Sequence, residues 1–210
     1  YSMNPFTSSR WLTAESQAVD NLIRRIQDAE VKHSMEYRGF LAKARRLFGK
    51  MPDADAGATV EILNRLVDNG LPLSDTTHSI DGMNTKERAA VTAIALYAGS
   101  HRMAHLEGVG FGTALARVVS ESREEHSGQS IPKRFAPLFD ASDYQSIIYD
   151  LSRILGVMSD STTIDYALLT NDLVALQSHD NAIQSKVRIK WAKEYYMASG
   201  VGDPDTKNNK

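Results

Sequence analysis

Apolar residues recur at helical spacing along almost the whole chain, and no segment of useful length alternates as a half-buried strand would. A first helix is predicted from Ala14 to about Glu30, with Thr13 as its cap and Val19, Leu22, Ile23 and Ile26 on its buried stripe. A second runs from about Met35 to Phe48 and is stopped by Gly49 and Pro52. Asp53 or Asp55 caps a third, carrying Val60, Leu63, Leu66 and Val67 and ending at Asn69-Gly70. Leu71 to Asn84, rich in Ser, Thr and Asp, reads as a long surface loop.

Thr85-Lys86-Glu87 opens the next helix, with Val91, Ile94, Ala95 and Ala98 on one face. A glycine turn, Gly108-Val109-Gly110, then leads into Phe111, Leu115, Val118 and Val119. Ser120 to Lys133 is polar and contains Pro132, which makes it the best boundary between lobes. Further helical segments follow at Phe135 to Phe139, Asp143 to Met158, Asp165 to about Gln177, and about Asn181 to Ala198. The fold expected is all-α, a two-lobed bundle of about eight to nine helices. Residues 10–128 form its N-terminal lobe, 129–198 its C-terminal lobe, and 199–210 a flexible tail.

Composition adds exclusions. The chain has 210 residues, of which 42% are hydrophobic and 24% charged, ordinary values for a globular protein. It contains no cysteine, which excludes a disulfide scaffold and thiolate metal sites and fits a reducing, cytoplasmic setting. No apolar run is long enough for a membrane span, and no signal peptide is expected.

The net charge of -2 conceals a segregation. From Lys32 to Lys50, six basic residues face Glu36 alone, a net +5. From Ile183 to Ala198, Lys186, Arg188, Lys190 and Lys193 face Glu194, a net +3, so the remainder carries -10.

Catalytic chemistry is weakly represented. His101 and His105 stand at i, i+4, as a zinc pair would, but the residues between them are Arg102, Met103 and Ala104, without the glutamate of a zincin. Gly108-Val109-Gly110-Phe111-Gly112 lacks the strand that a dinucleotide loop requires, so a turn feeding a helix is the better reading. There is no phosphate-binding Gly-Lys-Ser/Thr loop and no Gly-x-Ser-x-Gly elbow. Asp53 with Asp55, and Glu124 with Glu125, read as solvated loop acids. No cofactor or metal is expected, and the chain is read as a non-enzyme.

The basic residues carry more. At about 100° per residue, Phe40, Ala44, Leu47 and Phe48 make the buried stripe of the second helix. Lys43, Arg46 and Lys50 then fall on one flank, and Arg38 with Arg45 on the other. Arg153 and Arg117 lie nearly opposite the apolar stripes of their helices. A basic face is commonly just a solvated one paired with acids, but the second helix has no local i, i+4 acid partners. A polyanion is the natural ligand of such a face, and arginine suits bidentate phosphate contact. The row Lys186, Lys190, Lys193 either extends this surface or solubilises its helix. Trp191 and Tyr195 fit core packing better than base stacking.

Arg38-Gly39-Phe40-Leu41-Ala42-Lys43-Ala44-Arg45-Arg46, closed by Gly49-Lys50 and Pro52, resembles the first arginine-rich motif of the CasB family. These are the small subunits of the type I-E CRISPR surveillance complex, Cascade. The similarity continues in order through Gly110-Phe111-Gly112-Thr113-Ala114-Leu115-Ala116, Arg134-Phe135 with Leu138, and Leu151-Ser152-Arg153. It then takes in Asp165-Tyr166, Leu169, Asp172-Leu173, Val187-Arg188, Trp191-Ala192 and Tyr195-Tyr196, so that it spans roughly Trp11 to Met197.

The resemblance implies a non-catalytic helical subunit, paired with a second copy and with other Cascade subunits, lying beside guide RNA and target strand and holding the displaced DNA strand. Carried over by position, Arg45, Arg46, Arg134 and Arg153 fall where that family's basic surface is expected. The nucleic-acid-binding set expected is therefore Arg38, Lys43, Arg45, Arg46, Lys50, Arg117, Arg134 and Arg153. The alternative is a helical protein-interaction scaffold that never touches phosphate.

Overall fold

The computed structural model describes residues 10–75, 79, 81–100, 105–121, 131–157 and 162–200. Among them are nine α-helices: α1 (Ala14–Val31), α2 (Arg38–Ala44), α3 (Ala56–Val67), α4 (Thr85–Gly99), α5 (Phe111–Glu121), α6 (Ala136–Asp140), α7 (Tyr144–Leu155), α8 (Tyr166–Leu176) and α9 (Asn181–Ala198). The extended pairing among these residues is a single parallel bridge between His105 and Ile164. The fold is all-α, as the periodicity predicts. No described helix is long and apolar enough to cross a membrane.

Polar side chains set the starts of these helices. Thr13 caps α1, Asp55 caps α3, Asp143 caps α7, Asp165 caps α8 and Asp180 caps α9, each accepting backbone N–H groups left free at a helix start. At α4 the cap is Asn84, one residue before the expected start. Glu87 returns a bond to the Asn84 N–H, completing a capping box. The loop before α4 is tied down where Arg88 grips Asp81 through two bonds of 2.6 and 2.7 Å and donates to Gln177, the C-cap of α8, at 2.6 Å.

The centre of the molecule is α4. Every residue from Ala89 to Ala98 is buried, so this helix has no solvent face along that length. The sequence reading placed four of its residues on a single buried face. The alanines that read as neutral positions are what let α1, α3, α7 and α8 pack closely around it. Elsewhere, α3 is rotated relative to the predicted stripe. Ala58, Ile62 and Leu66 face the core, while Val60 and Val67 are exposed.

The expected boundary near residue 129 falls between α5 and α6, and residues 122–130 lie outside the described set, as do Met158 and 201–210. Across it, α5 packs on α9, and both α1 and α4 pack on α8. One buried cluster takes side chains from both sides.

The α5–α9 contact explains the glycine run. An added Cβ at Gly112 would lie 2.0 Å from the Trp191 carbonyl oxygen, and one at Gly110 would meet the Glu194 carboxylate at 2.5 Å. That carboxylate accepts the Gly112 N–H at 3.0 Å, so a side chain of α9 serves the open N-terminus of α5. Trp191 is fully buried against Phe111, ring centroids 4.6 Å apart, and its indole N–H donates to Asp172 at 2.7 Å.

Gly112→Ala therefore drives α5 from α9 and is expected to cost about 1–3 kcal/mol. Gly39→Ala, in α2 with no atom within 4 Å of the added methyl, is expected to stabilise by about 0.5–1 kcal/mol. Urea unfolding of the two variants against the parent chain checks both signs.

Candidate nucleic-acid interface

The basic segment forms one continuous helix in the sequence reading, Met35 to Phe48. In the structure α2 ends at Ala44 and the chain tightens into a 3-10 turn, Arg45–Leu47. Phe48 then turns extended, with ψ of 118°. The cause is the destination of its ring. An added Cβ at Gly99 would lie 2.1 Å from Phe48 Cδ2, and one at Gly156 would lie 3.7 Å from Phe48 Cε1. The phenyl ring thus fills space that Gly99 leaves open at the end of α4 and comes within van der Waals range of Gly156 at the end of α7. Next to it, Gly49 takes a left-handed φ of 72°, and an added Cβ there would lie 2.5 Å from Ser152 Oγ.

This wedge brings together two stretches of chain that carry cations, the 45–50 turn and the end of α7. Arg45 Nε donates to the Ala98 carbonyl at 2.6 Å, at the C-terminus of α4, where the helix dipole favours positive charge. Lys50 follows Gly49, and Arg153 follows Ser152. All three are exposed, and among the described residues no carboxylate lies within ion-pair distance of them. Arg153 lies 5.9 Å from the Tyr149 ring, a second exposed group on the outer face of α7.

The opposite flank differs. Arg46 Nε pairs with Asp55 at 2.9 Å, and Lys43 Nζ with Glu61 at 3.6 Å. The acids missing from the local i, i+4 positions are supplied by α3 and its cap. Both pairs are largely solvated and worth at most about 1 kcal/mol each, so either cation can exchange its partner for a phosphate at small cost.

The remaining candidates are spread further. Arg38 begins α2 and is exposed, beside the C-terminal end of α1. Arg117, on α5, reaches Thr163 Oγ1 at 3.4 Å. Arg134 stands in the 3-10 turn before α6, its guanidinium 4.8 Å from the Phe135 ring. Of the segments bearing these last two, α5 packs on α9 and the 3-10 turn packs on α6.

A second constellation was not singled out by sequence. His101, Arg102, Met103 and Ala104 lie outside the described residues, so the i, i+4 histidine pair is not described. His105 is, and it is joined by Asp20 and Asp165, with one ligand-type atom from each within 4.8 Å of the others. The cation at their centre is Arg10. Its Nε donates to Asp165 at 2.8 Å and its terminal nitrogen to Asp20. Arg24 donates to the other Asp20 oxygen at 2.7 Å.

His105 Nδ1 accepts the Tyr166 N–H at 3.2 Å, leaving Nε2 to donate to Asp20 at 3.2 Å. Asp165 meanwhile caps α8 and accepts the Gly108 N–H. With every ligand atom so engaged, the group is an internal salt cluster fastening α1, residues 105–109 and α8 together. Burial alone would raise the Asp20 pKa, but bonds from His105, Arg10 and Arg24 outweigh it and hold the carboxyl well below the usual range. The signal available in the sequence was a charged residue, Asp20, set between Val19 and Leu22 in an apolar stripe.

Compared with known proteins, residues 40–196 match the model of the family CRISPR-associated protein Cse2. No curated protein sequence matches the chain. Among solved structures the chain is similar to CasB from Thermobifida fusca, at 24% identity and a TM-score of 0.66, over 89% of this chain and 99% of that one. It is also similar to CasB from Thermus thermophilus, at 22% identity and a TM-score of 0.61, over 89% and 99%. A chain of a CRISPR RNA-guided surveillance complex matches at 21% identity and a TM-score of 0.60, over 89% of this chain and 96% of that chain. At these identities the structural likenesses establish the shared fold.

The salt cluster makes its own prediction. Asp20→Asn leaves Arg10 without one of its buried partners and is expected to lower the unfolding free energy by about 3–5 kcal/mol at pH 7. Because the folded-state pKa of Asp20 is depressed, its contribution is complete above the unfolded value near 4 and is lost as pH falls below it. The gap between parent and variant in urea unfolding should therefore narrow below about pH 4.

Proposed function

Because the chain belongs to the CRISPR-associated protein Cse2 family, we propose that it is a non-catalytic subunit of an RNA-guided surveillance complex. In this reading it holds nucleic-acid backbone on a basic surface and docks against other subunits, including a second copy of itself. Guide RNA, the target strand and the displaced DNA strand are the ligands it would meet, in the cytoplasm. Such complexes leave sequence recognition to base pairing, so the protein needs cations placed along a groove and no base-reading motif.

The observation that carries this reading is the Phe48 wedge. It sets the turn carrying Arg45 and Lys50 against the end of α7 carrying Arg153, beside the end of α4, with no acid among the described residues to neutralise them. A strand of phosphates supplies the missing charge, with counterion release as the driving force. Arg38, Lys43 and Arg46 extend the surface along the adjoining segment, and Arg117 and Arg134 are its proposed outlying contacts. The ion pairs Arg46–Asp55 and Lys43–Glu61 favour, for that flank, the second reading of a protein-docking face.

Charge reversal separates the two. Lys50→Glu with Arg153→Glu is expected to leave the helical circular dichroism intact and weaken single-strand binding roughly tenfold or more at low salt. Lys43→Glu with Arg46→Glu should act less on that affinity and more on co-purification with the other subunits. Unchanged single-strand affinity in the first variant contradicts the nucleic-acid reading.

A further inference from the structure

Between the C-terminal end of α1 and the start of α2 lies a cavity of about 190 Å³. Its floor is apolar and buried, made by Ile26, Tyr37 and Leu41, while Glu30, His33 and Arg38 form an exposed polar rim. An engineered apolar cavity of about 150 Å³ takes one benzene ring, so this space suits a single planar ring system and not a helix or strand.

The rim carries a local conflict. Among the described residues His33 is the one non-glycine with positive φ, at 53°. It stands where α1 closes in a left-handed turn, with the Ser34 N–H bonded back to the Ala29 carbonyl at 2.8 Å. Glycine is the usual occupant of that position because it meets no Cβ penalty. The chain instead places a histidine there, at the rim of the cavity. Strain kept at a cavity rim points to use of the side chain.

We propose that this cavity receives one unstacked nucleobase, bearing an exocyclic amino group, from the single strand held on the adjoining basic surface. The proposal rests on the nucleic-acid reading and adds a base contact to it. The chemistry matches on each side of the ligand. The ring plane lies on the apolar floor and stacks on His33, as splayed-out bases do on aromatic and histidine side chains. The Glu30 carboxylate offers acceptors alone, so it favours the amino group of cytosine over the carbonyl oxygen of uracil. Arg38, at the mouth, begins the basic helix and is placed to meet the neighbouring phosphate.

The test uses the full chain and fluorescein-labelled single-stranded dC12 and dU12, compared by anisotropy at low salt. These strands differ in their bases only where the 4-amino group replaces the 4-oxo group and in the ring-nitrogen proton that follows from it. The parent chain is expected to bind dC12 roughly three- to tenfold more tightly, the range of one good hydrogen bond. Glu30→Gln, whose amide both donates and accepts, should bring the two affinities together, chiefly by raising dU12 binding.

His33→Gly should raise the melting temperature, since glycine relieves the left-handed turn, yet lower the affinity for dC12 and dU12 alike, because stacking does not distinguish the two bases. Equal binding of the two strands by the parent chain overturns the pocket alone and is the result expected if it seats a protein side chain. A dC12 preference that survives Glu30→Gln, or an affinity for both strands that survives His33→Gly, also overturns it. Failure of every strand to bind overturns the pocket and the nucleic-acid reading together.

Discussion

The burial of α4 on every side is the constraint from which the rest of the fold follows. A helix without a solvent face cannot be stabilised by amphipathic packing on one neighbour and must be enclosed. Here α1, α3, α7 and α8 enclose it, and five of the ten residues from Ala89 to Ala98 are alanine, which permits their approach. Enclosure leaves the two ends of α4 as its only outlets. At the start, the Asn84–Glu87 box and the Arg88–Asp81 clamp tie in the preceding loop. At the far end the Phe48 ring closes the helix off, and the basic turn is folded around that ring.

Cations in this protein divide by depth. Arg10, Arg24 and Arg88 are committed to buried or partly buried carboxylates and hold elements together. Lys43 and Arg46 make solvated pairs that exchange easily, and Lys50 and Arg153 stay at the surface with no acid within ion-pair reach among the described residues. The division explains how a chain of net charge -2 can still present a local positive surface. Its acids are drawn inward to cap helices and to neutralise structural arginines, as Asp20 and Asp165 do.

Much of this was legible along the chain. Helix positions, most caps, and the buried Trp191 and Tyr195 all follow from local rules. What escaped were properties that depend on a distant partner. Nothing near Gly99 or Gly156 indicates that a phenylalanine will fill the space above them. Nor does the spacing of Arg45 reveal that its helix stops early, which changes the angle at which the following cations leave it. The ion pairs from α3 were invisible because they bridge two helices. Gly110 and Gly112, faintly like a phosphate loop in one dimension, serve helix packing in three. Asp20 was the one clear anomaly, a carboxylate inside an apolar stripe.

Binding of a single-stranded oligonucleotide to the intact chain across a range of salt concentrations tests the positive surface most directly. If Arg45, Lys50 and Arg153 each neutralise a phosphate, the logarithm of the association constant should fall with the logarithm of salt at a slope of about -2. A slope near zero, or binding lost only with unfolding, would mean that phosphates are not what these side chains meet.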